Sequence, residues 1–183
     1  MSDSPQIVVT HRSQVEIRPA RADDMDALLT IEQQCFDVYY YAYYTMDRRD
    51  FEFYLEDPES LFLAAILDGR LVGYVLGPIE TWHEPPAAHI DSIAVLPEFQ
   101  HKGIGARLLE SFTESVRRQG CRIITLEVSP ANEVGMAFFD QHGFRKVHRL
   151  RNYYGRGLHG LLMAAIMNRK PSDADRESPG RDS

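Results

Sequence analysis

Cysteine is scarce in this chain: its 183 residues include two, Cys35 and Cys121. Two thiols that far apart make neither a disulfide framework nor a metal-ligand spacing, so no bound metal is expected and the compartment expected is the reducing cytosol. Long apolar runs are missing as well. None approaches the ~20 residues of a bilayer-spanning helix. The opening MSDSPQIVVTHRSQ lacks a basic segment followed by an apolar one, so neither a secretory leader nor a membrane partner is expected. Positive charge is in deficit, with 20 Lys and Arg against 27 Asp and Glu and a net charge of −7. That balance argues against nucleic-acid binding as the main task, because phosphate contacts need clustered cations. Also absent is GxxxxGK[ST], the phosphate loop of P-loop proteins, and the glycines at 103 and 105 do not continue into the GxGxxG of dinucleotide-binding proteins.

What is present is an ordinary globular composition, 44% hydrophobic and 26% charged, on a chain long enough for one domain with a sizeable core. Residues 1–13 are polar and unpatterned, which predicts a flexible arm. Residues 170–183 mix Pro, Ser, Asp and Arg without apolar period, which predicts a disordered tail. The domain is expected over 14–169. Within it, apolar periodicity predicts strands over 15–18, 61–67, 71–76, 90–95, 122–128, 144–150 and 161–167. It predicts helices over 24–35, 45–55, 104–119 and 132–141, the last with Val134, Ala137 and Phe138 on one face. Residues 77–88 and 151–160 read as loops. The order β-α-α-β-β-β-α-β-α-β-β is that of a single α/β domain with a mixed sheet.

The stretch from Ile93 to Ala106, IAVLPEFQHKGIGA, organises this pattern. An apolar strand ends at Pro97, and Gly103 and Gly105 let backbone approach a ligand with no Cβ in the way. An amphipathic helix follows, through Leu108, Leu109, Phe112 and Val116. Backbone N–H groups of His101 to Ala106, including Lys102 and Ile104, therefore open a helix without intrahelical acceptors, and such an end attracts phosphate.

Two other places carry candidate chemistry. Glu127 is a lone carboxylate in the strand RIITLEV, either on a solvated face or beside the glycine turn through a β-α-β crossover. In the second case burial would raise its pKa toward neutrality, as suits a general base. Five tyrosines between positions 39 and 44 are too many to bury together, and form either a self-packed loop or one wall of a cleft.

Taken together, Gln100-x-x-Gly103-x-Gly105 after IAV at 93–95, LEV at 126–128, Asn132, the Gly143-Phe144 pair and RNYY at 151–154 resemble the GNAT N-acetyltransferases. Within that family the chain is most similar to the ribosomal-protein alanine N-acetyltransferases and related N-terminal acetyltransferases. The resemblance spans about residues 16–166. It implies a GNAT-like fold, a mixed, mostly antiparallel sheet of about seven strands flanked by about four helices. It implies acetyl-CoA as cosubstrate, contacted by Ile93, Ala94, Val95, Gln100, His101, Lys102, Gly103, Ile104, Gly105, Ala106 and Asn132. Glu127 would be the general base, and Tyr153, Tyr154 and the loop at Phe36 would hold the acceptor.

The chain departs from the family at two further places. Where the family has a tyrosine that protonates the CoA thiolate, this chain has Phe139, whose ring would line the thioester end. An Asp-Ala pair before the last strand is replaced by His159-Gly160. A positioned acid contributes roughly 10²–10⁴-fold and a thiol has pKa ~8.5, so Phe139 predicts a slower enzyme or a substitute donor. A free α-amine, of pKa ~7.8, is tens of per cent neutral near pH 7.4, whereas lysine is about 0.1% neutral. The expected reaction is thus direct acetyl transfer to a protein or peptide N-terminus. Transfer to a small amine or a lysine, or a weakly catalytic acyl-CoA-binding module, are the alternatives.

Overall fold

The computed structural model describes residues 14–36, 45–82 and 84–167. The arm, the tail and the tyrosine-rich stretch at 37–44 lie outside these. Eight strands form one sheet: β1 Glu16–Pro19, β2 Ser60–Leu67, β3 Arg70–Glu80, β4 Ala87–Ile90, β5 Ser92–Val95, β6 Ile123–Val128, β7 Arg145–Gly155 and β8 Leu158–Ile166. Among the described residues four α-helices flank it: α1 Met25–Cys35, α2 Arg48–Glu56, α3 Ile104–Arg118 and α4 Glu133–Gln141. The strand order is β1-β2-β3-β4-β6-β8-β7, with β5 pairing β3 off that path. The α3 crossover makes β4 and β6 parallel, and the other pairs are antiparallel.

Both faces of the sheet are covered, which is why β2 and β3 read as continuous apolar runs instead of alternating ones. Phe62 and Ala64 enter one core with Leu28, Ile31 and Phe51 from α1 and α2. Their neighbours Leu63 and Ala65 enter the other, with Leu108, Phe112 and Val116 from α3. Fully buried Phe112 and Leu108 each contribute about 1.5–3 kcal/mol by leaving water.

Four expectations need correction. The strand over 90–95 is two strands broken at Asp91, because Ile90 still pairs with β6 while Ser92 pairs only with β3. The loop over 77–88 shrinks to 81–86, since β3 runs on to Glu80 and β4 starts at Ala87. Gly77 permits this crossing: a Cβ there would lie 1.9 Å from the His89 carbonyl oxygen. The loop over 151–160 is the close of a β7–β8 hairpin, irregular in register between Leu150 and Gly155, where Asn152 takes φ 55. Polar and tyrosine residues hid its period. Finally, α4 turns Phe139 inward against Phe144, at 5.5 Å between ring centroids, and leaves Val134 68% exposed. Phe138 still packs against the core beside Phe139.

Candidate active site

The site starts from a fork in the sheet. β4 and β6 pair in parallel from Ala87↔Ile123 to Ile90↔Leu126 and then part. Past that point β5 pairs along one edge with β3, and the last residues of β6, Glu127 and Val128, pair with β8. Leu96 N–H donates to Val72 O at 2.9 Å, so by alternation the backbone groups of Ile93 and Val95 point away from β3, into the gap. The Val95 carbonyl agrees: it accepts from Gln100 Nε2 at 2.9 Å and Cys35 Sγ at 3.3 Å.

Below the fork the glycine turn is braced. Gln100 ties it to β5, and Lys102 Nζ donates to Glu98 O at 2.8 Å beside the Phe99 ring. His101 has φ 58 and Gly103 φ 79, two left-handed residues that reverse the chain into α3. Arg107 N–H donates to Gly103 O at 3.1 Å, and no side chain caps the helix. The amides of Ile104, Gly105 and Ala106 are thus left without intrahelical acceptors, as an anion cradle requires. Phe138 lies against Gly105, 3.6 Å from where a Cβ would sit. Phe139 is a core residue, 7% exposed, with its ring edge-on to Phe138 and Phe144. Asn132 caps α4, its side-chain oxygen accepting from Gly135 N at 2.8 Å. Phe36 closes α1, half-buried against the core of that face.

Glu127 stands at the fork. His89 Nε2 lies 2.9 Å from its Oε2, His89 Nδ1 lies 2.7 Å from Thr125 Oγ1, and Asp91 Oδ1 is 3.7 Å from His89 Nε2. Tyr54 on α2 donates to Asp91 Oδ2 at 2.6 Å. The Tyr153 hydroxyl donates to the Glu127 carboxylate. Burial pushes the Glu127 carboxyl up, but the bond and charge of His89 and the bond from Tyr153 outweigh it and hold it below its ordinary value. This reverses the raised pKa expected from the strand's apolar neighbours. Burial likewise opposes a charged His89, but the hydrogen bond to Glu127 and the charges of Glu127, Asp91 and Glu80 hold the imidazole above its ordinary value. The two titrate as one unit.

Tyr153 reaches Glu127 across a glycine. A Cβ on Gly160 would lie 3.1–3.2 Å from three atoms of the Tyr153 side chain. The hairpin end is locked by Asn152 N–H donating to His159 Nδ1 at 3.1 Å and Gly157 N–H donating to Asn152 Oδ1 at 2.9 Å. Tyr154 is buried, edge-on to Tyr153 at 4.8 Å. The cysteines stay thiols: burial, with the charges of Glu32 and Glu98, pushes Cys35 up to about 11, and burial raises Cys121. His89, Asp91, Tyr54 and Thr125 were not among the sequence candidates. The one available signal was the alternation His89-Ile90-Asp91 on the strand that feeds the glycine turn.

An uncapped helix end that opens onto a forked strand pair, with an ionised carboxylate and an imidazole at the fork, is the layout that a group transferase with a phosphate-anchored donor requires. The Acetyltransferase (GNAT) family model matches residues 25–144. The chain belongs to that family and is an acetyl-CoA-dependent N-acyltransferase. It is 32% identical to an N-alpha-acetyltransferase of Saccharolobus solfataricus over 158 residues, 81% of this chain and 90% of the relative. It is 31% identical to the N-alpha-acetyltransferase of Sulfurisphaera tokodaii, over 81% of this chain and 91% of that one. The fold is similar to the Escherichia coli ribosomal-protein-S18-alanine N-acetyltransferase, with TM-score 0.73 at 21% identity, covering 87% of this chain and 98% of that one. Acetyl-CoA supplies an activated acetyl thioester, and the uncapped amides after Gly103 fit its pyrophosphate. Among the described residues no helix is long and apolar enough to cross a membrane.

Proposed function

We propose that this enzyme acetylates the α-amino group of a protein or peptide N-terminus. The observation that carries the reading is the Glu127 carboxylate, kept ionised at the fork by His89 and Tyr153. An acceptor amine arriving there finds a base that needs no prior deprotonation, and the His89–Glu127 pair takes up one proton. An α-amine suits a base of lowered pKa, because a useful fraction is already neutral at pH 7.4. The names of the curated relatives support the same acceptor.

In this reading Ile93, Ala94 and Val95 hold the donor's extended arm along the open edge of β5. Residues His101 to Ala106 hold its phosphates, while Gln100 braces the turn. Asn132 shapes the start of α4, and Phe139 supports that wall from the core. Tyr153 flanks the acceptor, with Tyr154 packed behind it and Phe36 on the opposite wall. With both cysteines protonated, transfer is direct. The catalytic unit is residues 14–169, with an arm and a tail outside it, and free thiols suit the cytosol.

The test is CoA release with three acceptors: peptides with a free N-terminus, N-terminally blocked peptides bearing lysine, and small diamines. The free N-termini should react fastest, and Glu127→Gln should lower kcat by roughly 10²–10⁴-fold with acetyl-CoA affinity kept. Equal rates on blocked lysine peptides would overturn the acceptor assignment.

A further inference from the structure

Acidic residues run through the chain as far as Asp140 and do not resume until Asp173. Between 141 and 172 there is no Asp or Glu, while seven Arg and Lys fall in the same stretch of a chain whose net charge is −7. Its described part is the approach to the β7–β8 hairpin and the hairpin itself. Arg145 is satisfied by Asp140, at 3.0 Å. Lys146, Arg149, Arg151 and Arg156 are exposed, and among the described residues none of these four has a carboxylate partner within 4.0 Å.

This basic hairpin is also the one that delivers Tyr153 to Glu127. The other side of the site has the opposite sign, since His89 lies in the field of Glu127, Asp91 and Glu80. Two poles therefore meet at one site. The negative pole suits a protonated amine on arrival. The basic hairpin beside it needs something negative that is covalently attached to that amine. Arg151 and Arg156 stand two and three residues from Tyr153, so the chain itself limits their backbone separation from it to about 7 and 11 Å. An extended acceptor covers that span with its second to fourth residues.

We infer that the preferred acceptors are N-termini carrying Asp or Glu at the second to fourth positions, met by Arg151 and Arg156. The inference rests on the α-amino reading above. RNA would also neutralise the strip, but four free cations are few for a phosphate backbone, and carboxylates close the strip at the Tyr153 end. A peptide with a positive head and an acidic following segment satisfies both poles. Exposed ion pairs are individually weak, so two of them should favour the acidic peptide about three- to tenfold, with strong screening by salt.

The test uses the full chain, acetyl-CoA and three peptides that share a first serine and a length. Positions two to four are Asp/Glu, Asn/Gln or Lys. For the wild type, kcat/KM should rank acidic over amide by three- to tenfold and amide over lysine, and the ratio should approach one in 0.5 M salt. In an Arg151→Ser, Arg156→Ser variant the acidic-to-amide ratio should fall toward one at low salt. The wild-type ratio and its salt dependence decide the matter even if that variant is unstable. A wild-type ratio of one overturns the inference, and a ratio that survives in the variant overturns the role of these arginines. Inhibition by polyuridylate without any acidic preference would assign the strip to RNA instead. Failure of every peptide would sink the α-amino reading itself, an outcome distinct from equal rates on all three.

Discussion

Tyr153 can donate to Glu127 because residue 160 has no side chain. A Cβ there would crowd three Tyr153 atoms at 3.1–3.2 Å, closer than packed atoms sit comfortably. His159 holds the same turn through the Asn152 amide, at 3.1 Å, so the His159-Gly160 pair is what lets the hairpin carry a tyrosine to the fork. Gly160→Ala should push the ring off its seat by a few tenths of an ångström and weaken that hydrogen bond. Bonds to charged groups contribute about 1.5–3 kcal/mol, so partial loss should lower kcat/KM roughly fivefold. The sign of the pH effect follows from the bond's role. Tyr153 helps to keep the Glu127 carboxyl low, so weakening its bond raises that pKa, and the acid limb of the kcat/KM profile moves to higher pH. A Gly160→Ala profile superimposable on the wild type would remove Tyr153 from the control of this base.

Helix α3 contributes its first turn, and that turn depends on Gly103 more for backbone angle than for space. Nothing lies within 4 Å of where its Cβ would be, yet its φ is 79°. A β-branched residue is disfavoured there by about 1–2 kcal/mol, so Gly103→Val should tilt the amides of Ile104 to Ala106 away from a common focus. Acetyl-CoA should then bind at least tenfold more weakly by calorimetry. Gly69 provides the control, since it has φ 78°, equally open surroundings and a place in the β2–β3 turn. Gly69→Val should cost comparable stability with unchanged acetyl-CoA affinity. Equal loss of affinity in both variants would mean that general strain, not the cradle, was being measured.

The two cores are not purely apolar, and the fold's pH response follows from that. Glu32 is 3% exposed, accepts from Met46 N–H at 2.7 Å, and takes a hydrogen bond from Tyr74, whose oxygen lies 2.9 Å from Ser92 Oγ. Burial is the largest influence and raises the Glu32 carboxyl above its ordinary value of 4.5, against the bonds from Tyr74 and Met46. A raised folded-state pKa favours the protonated carboxyl. Its stabilisation is therefore complete below pH 4.5 and is lost as pH rises through the folded value. Glu32→Gln keeps an oxygen for Met46 N–H and offers an amide to Tyr74 without a charge. Urea midpoints of wild type and Glu32→Gln, compared between pH 4 and 7, should diverge in favour of the variant as pH rises. A constant gap across that window would show that Glu32 does not titrate with folding.

Much of this protein is legible in order along the chain, because helices, turns and strands are set by neighbours within a few residues. The glycine turn after IAV, the amphipathic stripe of α3 and the β2–β3 turn at Asp68-Gly69 all announce themselves in that way, and so does Glu127 as a carboxylate among apolar residues. The partners of Glu127 do not. Tyr54 and Asp91 are 37 residues apart, and His89 and Thr125 are 36 apart, so no periodicity links them. The break at Asp91 arises where one strand must pair first with β6 and then only with β3, a conflict that exists once the sheet is assembled. The inward turn of Phe139 likewise depended on Phe144 being there to receive it. The direction of the Glu127 shift was settled by these distant groups. Its own strand supplies burial, which raises the pKa. Its lowering comes from an imidazole on β4 and a phenol on β7 brought against one carboxylate, and Coulomb and hydrogen-bond energies depend on that spatial approach, not on separation along the chain.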